Sequence, residues 1–475
     1  MKPNIDQSII GLSPMQICLS PMSKKPKKSS FTGLLLHIHP HSINEKVLTF
    51  THTFGLGGMA ATLLILLVIT GILLKFVYQP FPGNAYLSIL TLENGVLFGK
   101  LIRNIHRWSA NLLVIVSFLH LLRVFYTGAL YSQRRTNWFI GLCLFFLVLA
   151  SNFTGYLLPW DQLAYWAITI CTGMLEYIPL IGSWLQKIIR GGPDVGPTSL
   201  SIFYTLHTAV MPFILILLSG FHFWRIRKDG GVIIPKKFNE IPDSNEDTTN
   251  NTNDSKQNQS VPVIPNLVTR EIAVALILIA VIFVFSTFFN APLQDKANPG
   301  LSPNPAKAPW YFMGFQEMLM HFHPIVAILI IPLLTICALI ALPYLNQNPN
   351  THGIRFQSQK GQQTVLFAVY SALIVTPAAV LLDEFYIHFT TWLPRVSSLI
   401  SNGLIPFILI ISIVTAFYFL VRKKYTASFP ETIQAVFTFL TISFIILTII
   451  GTWFRGPGMS LAWPWNTGTN PPIPN

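Results

Sequence analysis

The chain has 475 residues, with 31 Lys+Arg against 18 Asp+Glu and a net charge of +13. Apolar residues make up 52% and charged ones only 10%, against roughly 25% charged in a soluble protein, and the mean hydropathy is +0.53. These values exclude a disordered chain and argue against a soluble enzyme or a nucleic-acid binder. They fit an all-α polytopic membrane protein whose basic residues mark cytoplasmic loops.

Residues 1–50 read as a cytoplasmic N-terminal segment. It is no clear signal peptide, because its basic cluster (Lys24, Lys25, Lys27, Lys28) follows a weakly apolar stretch that Pro14 interrupts. Nine stretches then approach the roughly 20 apolar residues that a bilayer demands. They lie near Leu56–Tyr78, Ile105–Val124, Trp138–Leu158, Ile202–Trp224, Ile272–Phe289, Pro324–Leu345, Thr364–Leu382, Leu404–Val421 and Ile433–Phe454. Between the fourth and fifth lies DSNEDTTNNTNDSKQNQS, which has no apolar residue and reads as a flexible linker within 232–265. The expected division is a four-helix unit at 51–231, that linker, a second unit at 266–390, and two further spans with a tail at 391–475.

An N-in, C-out topology puts most of the basic loops inside, among them Arg134, Arg135, Arg225, Arg227, Lys228, Arg270, Arg355 and Arg422 to Lys424. Outside are fewer, such as Lys187, Arg190 and Arg395. Cys18, Cys143, Cys171 and Cys337 are far apart, and no C-x-x-C occurs. Covalent c-type haem, a zinc ribbon and a cysteine-bound iron–sulfur cluster are therefore not expected within the chain.

The second stretch holds His106 and His120, and the fourth holds His207 and His222. Separations of 14 and 15 residues correspond to about 21 and 22 Å along a helix, with angular offsets of about −40° and +60°. Each pair thus lies on one broad face. The two spans run parallel, so His106 is level with His207 towards the outer side, and His120 with His222 towards the inner side. An imidazole within a bilayer is costly without a partner. A lone one is ordinarily a hydrogen-bonded core residue, but four matched in depth supply two sites of facing imidazoles. Two imidazoles are too few for zinc, whereas they suit a low-spin haem that carries electrons.

Gly57 and Gly71 in the first span, and Gly141 and Gly155 in the third, repeat a 14-residue interval. Glycine admits the close backbone approach that a flat macrocycle needs, although small residues also serve plain helix packing. Arg103 and Arg123 flank the second span's histidines, three residues towards the nearer face, where they could pair with haem propionates or simply snorkel.

The runs RNIHRWSANLLVIVSFLHLLRVFYTG, NFTGYLLPWDQLAYWA, GGPDVGPTSLSIFYTLH and HFWRIRKDGG resemble cytochrome b of the bc-type and chloroplast-type quinol reductases. The likeness is close over about 51–231 and weaker near 292–345. The 14-then-15 histidine spacing resembles the chloroplast-type branch, where cytochrome b is split into two polypeptides; here the halves are joined. The resemblance implies a Q-cycle subunit with two non-covalent b haems: a low-potential one on His106 and His207 and a high-potential one on His120 and His222. It also implies propionate contacts from Arg103 and Arg123, a quinol site at Trp310 and Tyr311 in AKAPWYF, and a basic residue, Arg227, near the inner quinone site. A Rieske-type iron–sulfur protein and a c-type cytochrome would be partners in a dimeric, lipid-embedded complex of the inner (cytoplasmic) membrane.

Three departures stand out. Pro309 replaces the motif glutamate. Gly55 stands where the chloroplast-type branch attaches an extra c-type haem, so no c-type haem is expected. The last two spans exceed the three of the split family's second polypeptide. The nearest carboxylate after the motif is Glu317, six residues past Tyr311, and His321 lies four residues further on. Glu317 is therefore the candidate proton acceptor, although an interfacial Glu–His pair would read the same way. The rival readings are a di-haem membrane anchor of another quinone-linked complex, which would lack the PWDQ segment and the second-half quinol motif, and a non-redox transporter, which would show no haem bands.

Overall fold

The computed structural model describes residues 40–236, 259–346 and 352–465. The linker from 243 to 258, Lys24 to Lys28 and Cys18 lie outside these residues. Among the described residues nine helices are long and apolar enough to cross a membrane. They are α1 (Leu56–Lys75), α2 (Gly99–Tyr126), α3 (Ser132–Tyr156), α4 (Pro197–Lys228), α5 (Val263–Phe288), α6 (Val326–Leu345), α7 (Gln359–Phe385), α8 (Ile400–Tyr425) and α9 (Phe429–Trp453). Seven of the nine overrun the apolar stretches by at least one turn at one end or both. A helix carries on through the polar residues that cap it at the interface. Ser358 accepts from Gly361 N at 2.9 Å to start α7, and Ser428 and Glu431 form a capping box at the start of α9. The remaining helices among the described residues are short and lie between the spans, just before the first or just after the last. Among the described residues, sheet is confined to β1 (Ser42–Asn44) and β2 (Ser260–Pro262), paired antiparallel.

Three spanning helices contain one widened π turn each: Leu206–Val210 in α4, Val326–Ile330 in α6 and Ile400–Leu404 in α8. Each precedes a proline by two residues: Pro212, Pro332 and Pro406. Proline has no N–H to donate and its ring crowds the carbonyl one turn back, so the ladder slips there to an i→i+5 bond.

The first four spans pack as α1 on α2 and α3 on α4, with α2 against α3. The second half joins them through α5. Leu278 and Ile282 of α5 share a core with Leu56, Leu63, Leu113 and Leu215. At the exit of α5, polar side chains of α2 take hold of the chain. Asn104 donates to Ser286 O at 2.9 Å and accepts from Ala291 N at 2.8 Å, while Trp108 donates to Phe289 O at 2.9 Å. Trp138 of α3 donates to Leu339 O of α6 at 2.8 Å. The α9 helix packs on α7, on α8 and on the short helix Met313–His321, and its Phe437 ring lies tilted against Phe125 of α2, with centroids 4.1 Å apart. The outward face of α5, with Leu276, Ile277 and Val281 more than half exposed, is the apolar surface that lipid covers.

Because side-chain packing and the β1–β2 ladder tie the halves together, the linker adds only effective concentration. Cutting the gene between 243 and 258 and co-expressing the halves should yield a stable complex that co-purifies. Two soluble or degraded halves that fail to associate would show instead that the covalent link is required.

Candidate functional site

All four sequence-predicted histidines point into the space between α1, α2, α3 and α4, and each faces one of the predicted glycines. A β-carbon at Gly71 would lie 3.3 Å from His106 Cε1, one at Gly57 3.4 Å from His120 Cε1, one at Gly141 3.6 Å from His222 Cε1, and one at Gly155 2.5 Å from His207 Cε1. The 14-residue glycine interval therefore follows the histidine interval, helix against helix.

His106 and His207 face each other with ring centroids 6.2 Å apart and planes at 77°. A single metal ion bonded at about 2 Å to one nitrogen of each ring fills such a gap. The far nitrogens are already used. His207 Nδ1 donates to Ser151 O at 2.9 Å. Thr70 Oγ1 spends its hydrogen on Leu66 O at 2.7 Å, so its oxygen accepts from His106 Nδ1 at 2.9 Å. Both rings therefore carry the proton on Nδ1 and keep a bare Nε2 lone pair for a metal. His120 and His222 are electrostatic neighbours at the other end, and His222 Nδ1 is buried without a hydrogen-bond partner.

The sequence spacing of 15 on α4 against 14 on α2 is explained by the π turn. Leu206–Val210 includes His207 and takes up one extra residue, so His207 and His222 keep nearly the angular phase of a 14-residue interval.

The His106–His207 pair opens on a cavity of about 340 Å³, walled by Gly71, Gly155, Tyr78, Tyr156 and Leu215 and edged by Arg103, Arg107 and Asp161. Two glycine-lined walls, an apolar lining and cations at one rim suit a flat apolar macrocycle with acidic substituents. Arg103 reaches this rim, but its guanidinium is engaged by Glu93 Oε1 at 2.5 Å and by the carbonyls of Ala291 and Pro292 at 2.9 and 2.7 Å. Arg107, which sequence reasoning missed, lies over the Tyr156 ring at 5.0 Å and has an unpartnered buried Nε. Asp161, at the start of its short helix, is the one carboxylate among the described cavity residues. It accepts from Ala164 N at 2.8 Å and Gln294 N at 3.0 Å, and burial raises its pKa.

At the other end Arg123 donates to His52 O at 3.0 Å. Burial, and next the Arg123 charge, hold the His52 imidazole down at about 4, so it stays neutral and its Nε2 lies 2.7 Å from Ile233 O. Arg227 lies in the last turn of α4, five residues past His222.

Trp310 and Tyr311 are brought to the His106–His207 end. Trp310 Nε1 donates to Asn111 Oδ1 of α2 at 3.1 Å, and the buried Tyr311 hydroxyl has no hydrogen-bond partner. Glu317 points away from that cavity. It is fully buried against α9, where Arg455 Nη2 meets Oε1 at 2.6 Å and Arg455 Nε lies 3.0–3.1 Å from both oxygens. His321 Nε2 lies 3.3 Å from the same Oε1, and its Nδ1 lies 2.7 Å from Asp383 Oδ2. Burial works against charge on both groups. The His321 and Arg455 hydrogen bonds outweigh it for Glu317 and hold that carboxyl below its usual range. The two carboxylates likewise push His321 up to about 9. Sequence carried one sign of this cluster: Arg455 is a solitary cation at the end of an apolar span.

A family model for Cytochrome b/b6/petB matches residues 43–230. Cytochrome b6 of Euglena gracilis is 44% identical over 177 residues, 37% of this chain and 82% of that protein. Cytochrome b6 of Synechococcus elongatus is 41% identical over the same shares. The chain belongs to the cytochrome b family. Membership makes it an integral multi-pass membrane protein of a multi-subunit redox complex and implies b-type haem. A solved chain of a Hyperthermophilic respiratory Complex III shares the fold, with a TM-score of 0.61 and 21% identity over 89% of this chain and 97% of that one.

Two outcomes follow from the geometry. Alanine at Gly155 drives a methyl into the His207 ring, which Ser151 holds in place, whereas alanine at Gly141 makes an ordinary contact at 3.6 Å. Gly155→Ala should lose at least half of one b-haem band in the purified protein, a steeper loss than Gly141→Ala causes; equal losses would contradict this. The second concerns pH. His321 titrates higher when folded than its ordinary 6.5, so its contribution to stability is complete below about 6.5 and fades as pH rises through about 9. The gap in melting temperature between the unaltered protein and His321→Gln should be widest near pH 6 and close above pH 9. A gap independent of pH would rule out a charged imidazole.

Proposed function

We propose that this chain is the cytochrome b subunit of a quinol–cytochrome c oxidoreductase, moving electrons across the membrane in a Q-cycle coupled to proton translocation. The observation that carries the reading is the facing pair His106 and His207, with both Nδ1 atoms committed as donors, at the end of the bundle where Trp310 docks on α2. We assign residues 51–231 as the di-haem unit, 266–390 as the quinol-site unit, and 391–475 as an addition to it.

His106 and His207 would hold the outer haem, and His120 and His222 the inner one. Haem held by these imidazoles would supply one-electron transfer without binding substrate at its iron. The Nδ1 hydrogen bonds strengthen His106 and His207 as electron donors. This favours the lower potential at the outer site, where quinol is oxidised. Gly71 and Gly155 leave room for the macrocycle at that level, and Gly57 and Gly141 at the inner one. Arg103 and Arg107 would face propionates at the outer rim, and Arg123 at the inner end. Trp310 and Tyr311 border the outer quinol site. Arg227 is the basic residue beside the inner quinone site. Glu317 is the proton acceptor, in place of the carboxylate that Pro309 lacks.

Gly55 has φ +66°, and a β-carbon there would meet Val274 at 3.2 Å, which supports a site closed to an attached c-type haem. The high-potential branch belongs to partners: a Rieske-type iron–sulfur protein and a c-type cytochrome, in a dimeric complex. The positive-inside pattern supports the inner (cytoplasmic) membrane with the N-terminus inside.

Acid–acetone should extract all the haem, two per chain, and His222→Ala should remove the inner band while the outer one remains. Haem retained after extraction, or loss of the outer band alone, would overturn the assignment.

A further inference from the structure

The last helix delivers a charged cluster for which the haem sites have no use. Arg455 is wholly buried just past the end of α9 and is shared between Glu317, the Glu384 Oε2 atom at 2.9 Å and the Met459 carbonyl at 2.9 Å. Three further bonds tie this cluster to the motif loop. Gln316, next to Glu317, accepts from Ala308 N at 2.6 Å and donates to Ala306 O at 2.9 Å. Lys307 donates to Thr452 O in the last turn of α9 at 2.9 Å. The backbone immediately before Trp310 is thus held on one side by the Glu317 helix and on the other by α9.

From Glu317 a hydrogen-bonded line runs outward. The Glu317 side chain is 0% exposed, His321 10% and Asp383 31%, with contacts of 3.3 and 2.7 Å along the way. It starts in the dry interior beside the quinol motif and ends on a carboxylate that water reaches. We propose that Glu317, His321 and Asp383 form the path by which the proton released from quinol leaves for the outer surface, with Arg455 as the counter-ion that holds its first carboxylate in position. The proposal rests on the reading that quinol is oxidised beside Trp310 and Tyr311.

The steps balance. The Nδ1–H bond of the resting imidazolium breaks as an O–H bond forms on Asp383, and Asp383 passes that proton to water. The ring turns over, and its bare nitrogen takes the proton that Glu317 received from quinol. A carboxylate paired with Arg455 accepts a proton only from a strong acid, which quinol becomes once it has lost an electron to its oxidant, and it hands that proton on readily. The other charged groups facing the line are Arg455, Glu384 and Lys307, and none of them bridges two members of it.

The test uses the whole purified complex with its haems and a short-chain benzoquinol or naphthoquinol, whichever the unaltered complex oxidises. If it oxidises neither, the functional reading itself fails. Asp383→Asn and His321→Gln should keep both b-haem bands and lower turnover at least tenfold. Added formate or imidazole, small proton carriers, should restore Asp383→Asn several-fold. Glu384→Gln, off the line, should stay within about threefold of the unaltered rate, a drop well short of the effect expected of a proton-transfer group. Unaltered turnover in Asp383→Asn, slow turnover that neither carrier relieves, or loss of haem in both path variants would overturn the proposal in favour of a packing role.

Discussion

The hydrogen bond from His207 Nδ1 to the Ser151 carbonyl fixes the geometry on which the electron-carrying half depends. In a membrane interior an imidazole with two idle nitrogens is expensive. Spending one nitrogen on α3 orients the ring and aims the other at His106. The remaining features follow from that placement. Gly155 must lack a side chain because the ring lies within 3.0 Å of where one would begin. The π turn at Leu206–Val210 lets α4 present His207 here and still bring His222 to the level of His120.

The second half is organised by a different constraint. A fully buried arginine needs counter-charges, and losing one partner of such a pair costs about 3–5 kcal/mol. Arg455 therefore binds the end of α9 to the Glu317 helix and, through Glu384, to α7. The last span, α9, becomes the wall against which the motif loop is set.

Much of this was legible in the sequence. The nine apolar stretches and the depth-matched histidines need only helix geometry and the cost of burying imidazole. The glycine interval pointed to the same helix faces, but its partner residues, one histidine per glycine, depend on tertiary packing. Arg103 illustrates the limit. Its position beside His106 was readable, yet its bonds to Glu93 and the Ala291 and Pro292 carbonyls join residues up to 189 positions apart. Arg107 and Asp161 were missed because nothing local sets them apart from interfacial and capping residues. Glu317 and His321 were paired by their spacing of four, but Arg455 and Asp383 arrive from distant helices.

The π turn in α4 bears on how this chain should be compared with others. One residue between His207 and Pro212 advances the sequence without advancing the helix. A homologue built with a regular helix there would show a single-residue gap at that point, with all later side chains still in register. Read that way, a 14-residue and a 15-residue histidine interval describe the same architecture. The difference between two branches of a family can then lie in one slipped hydrogen bond and the proline that requires it, rather than in where the irons sit.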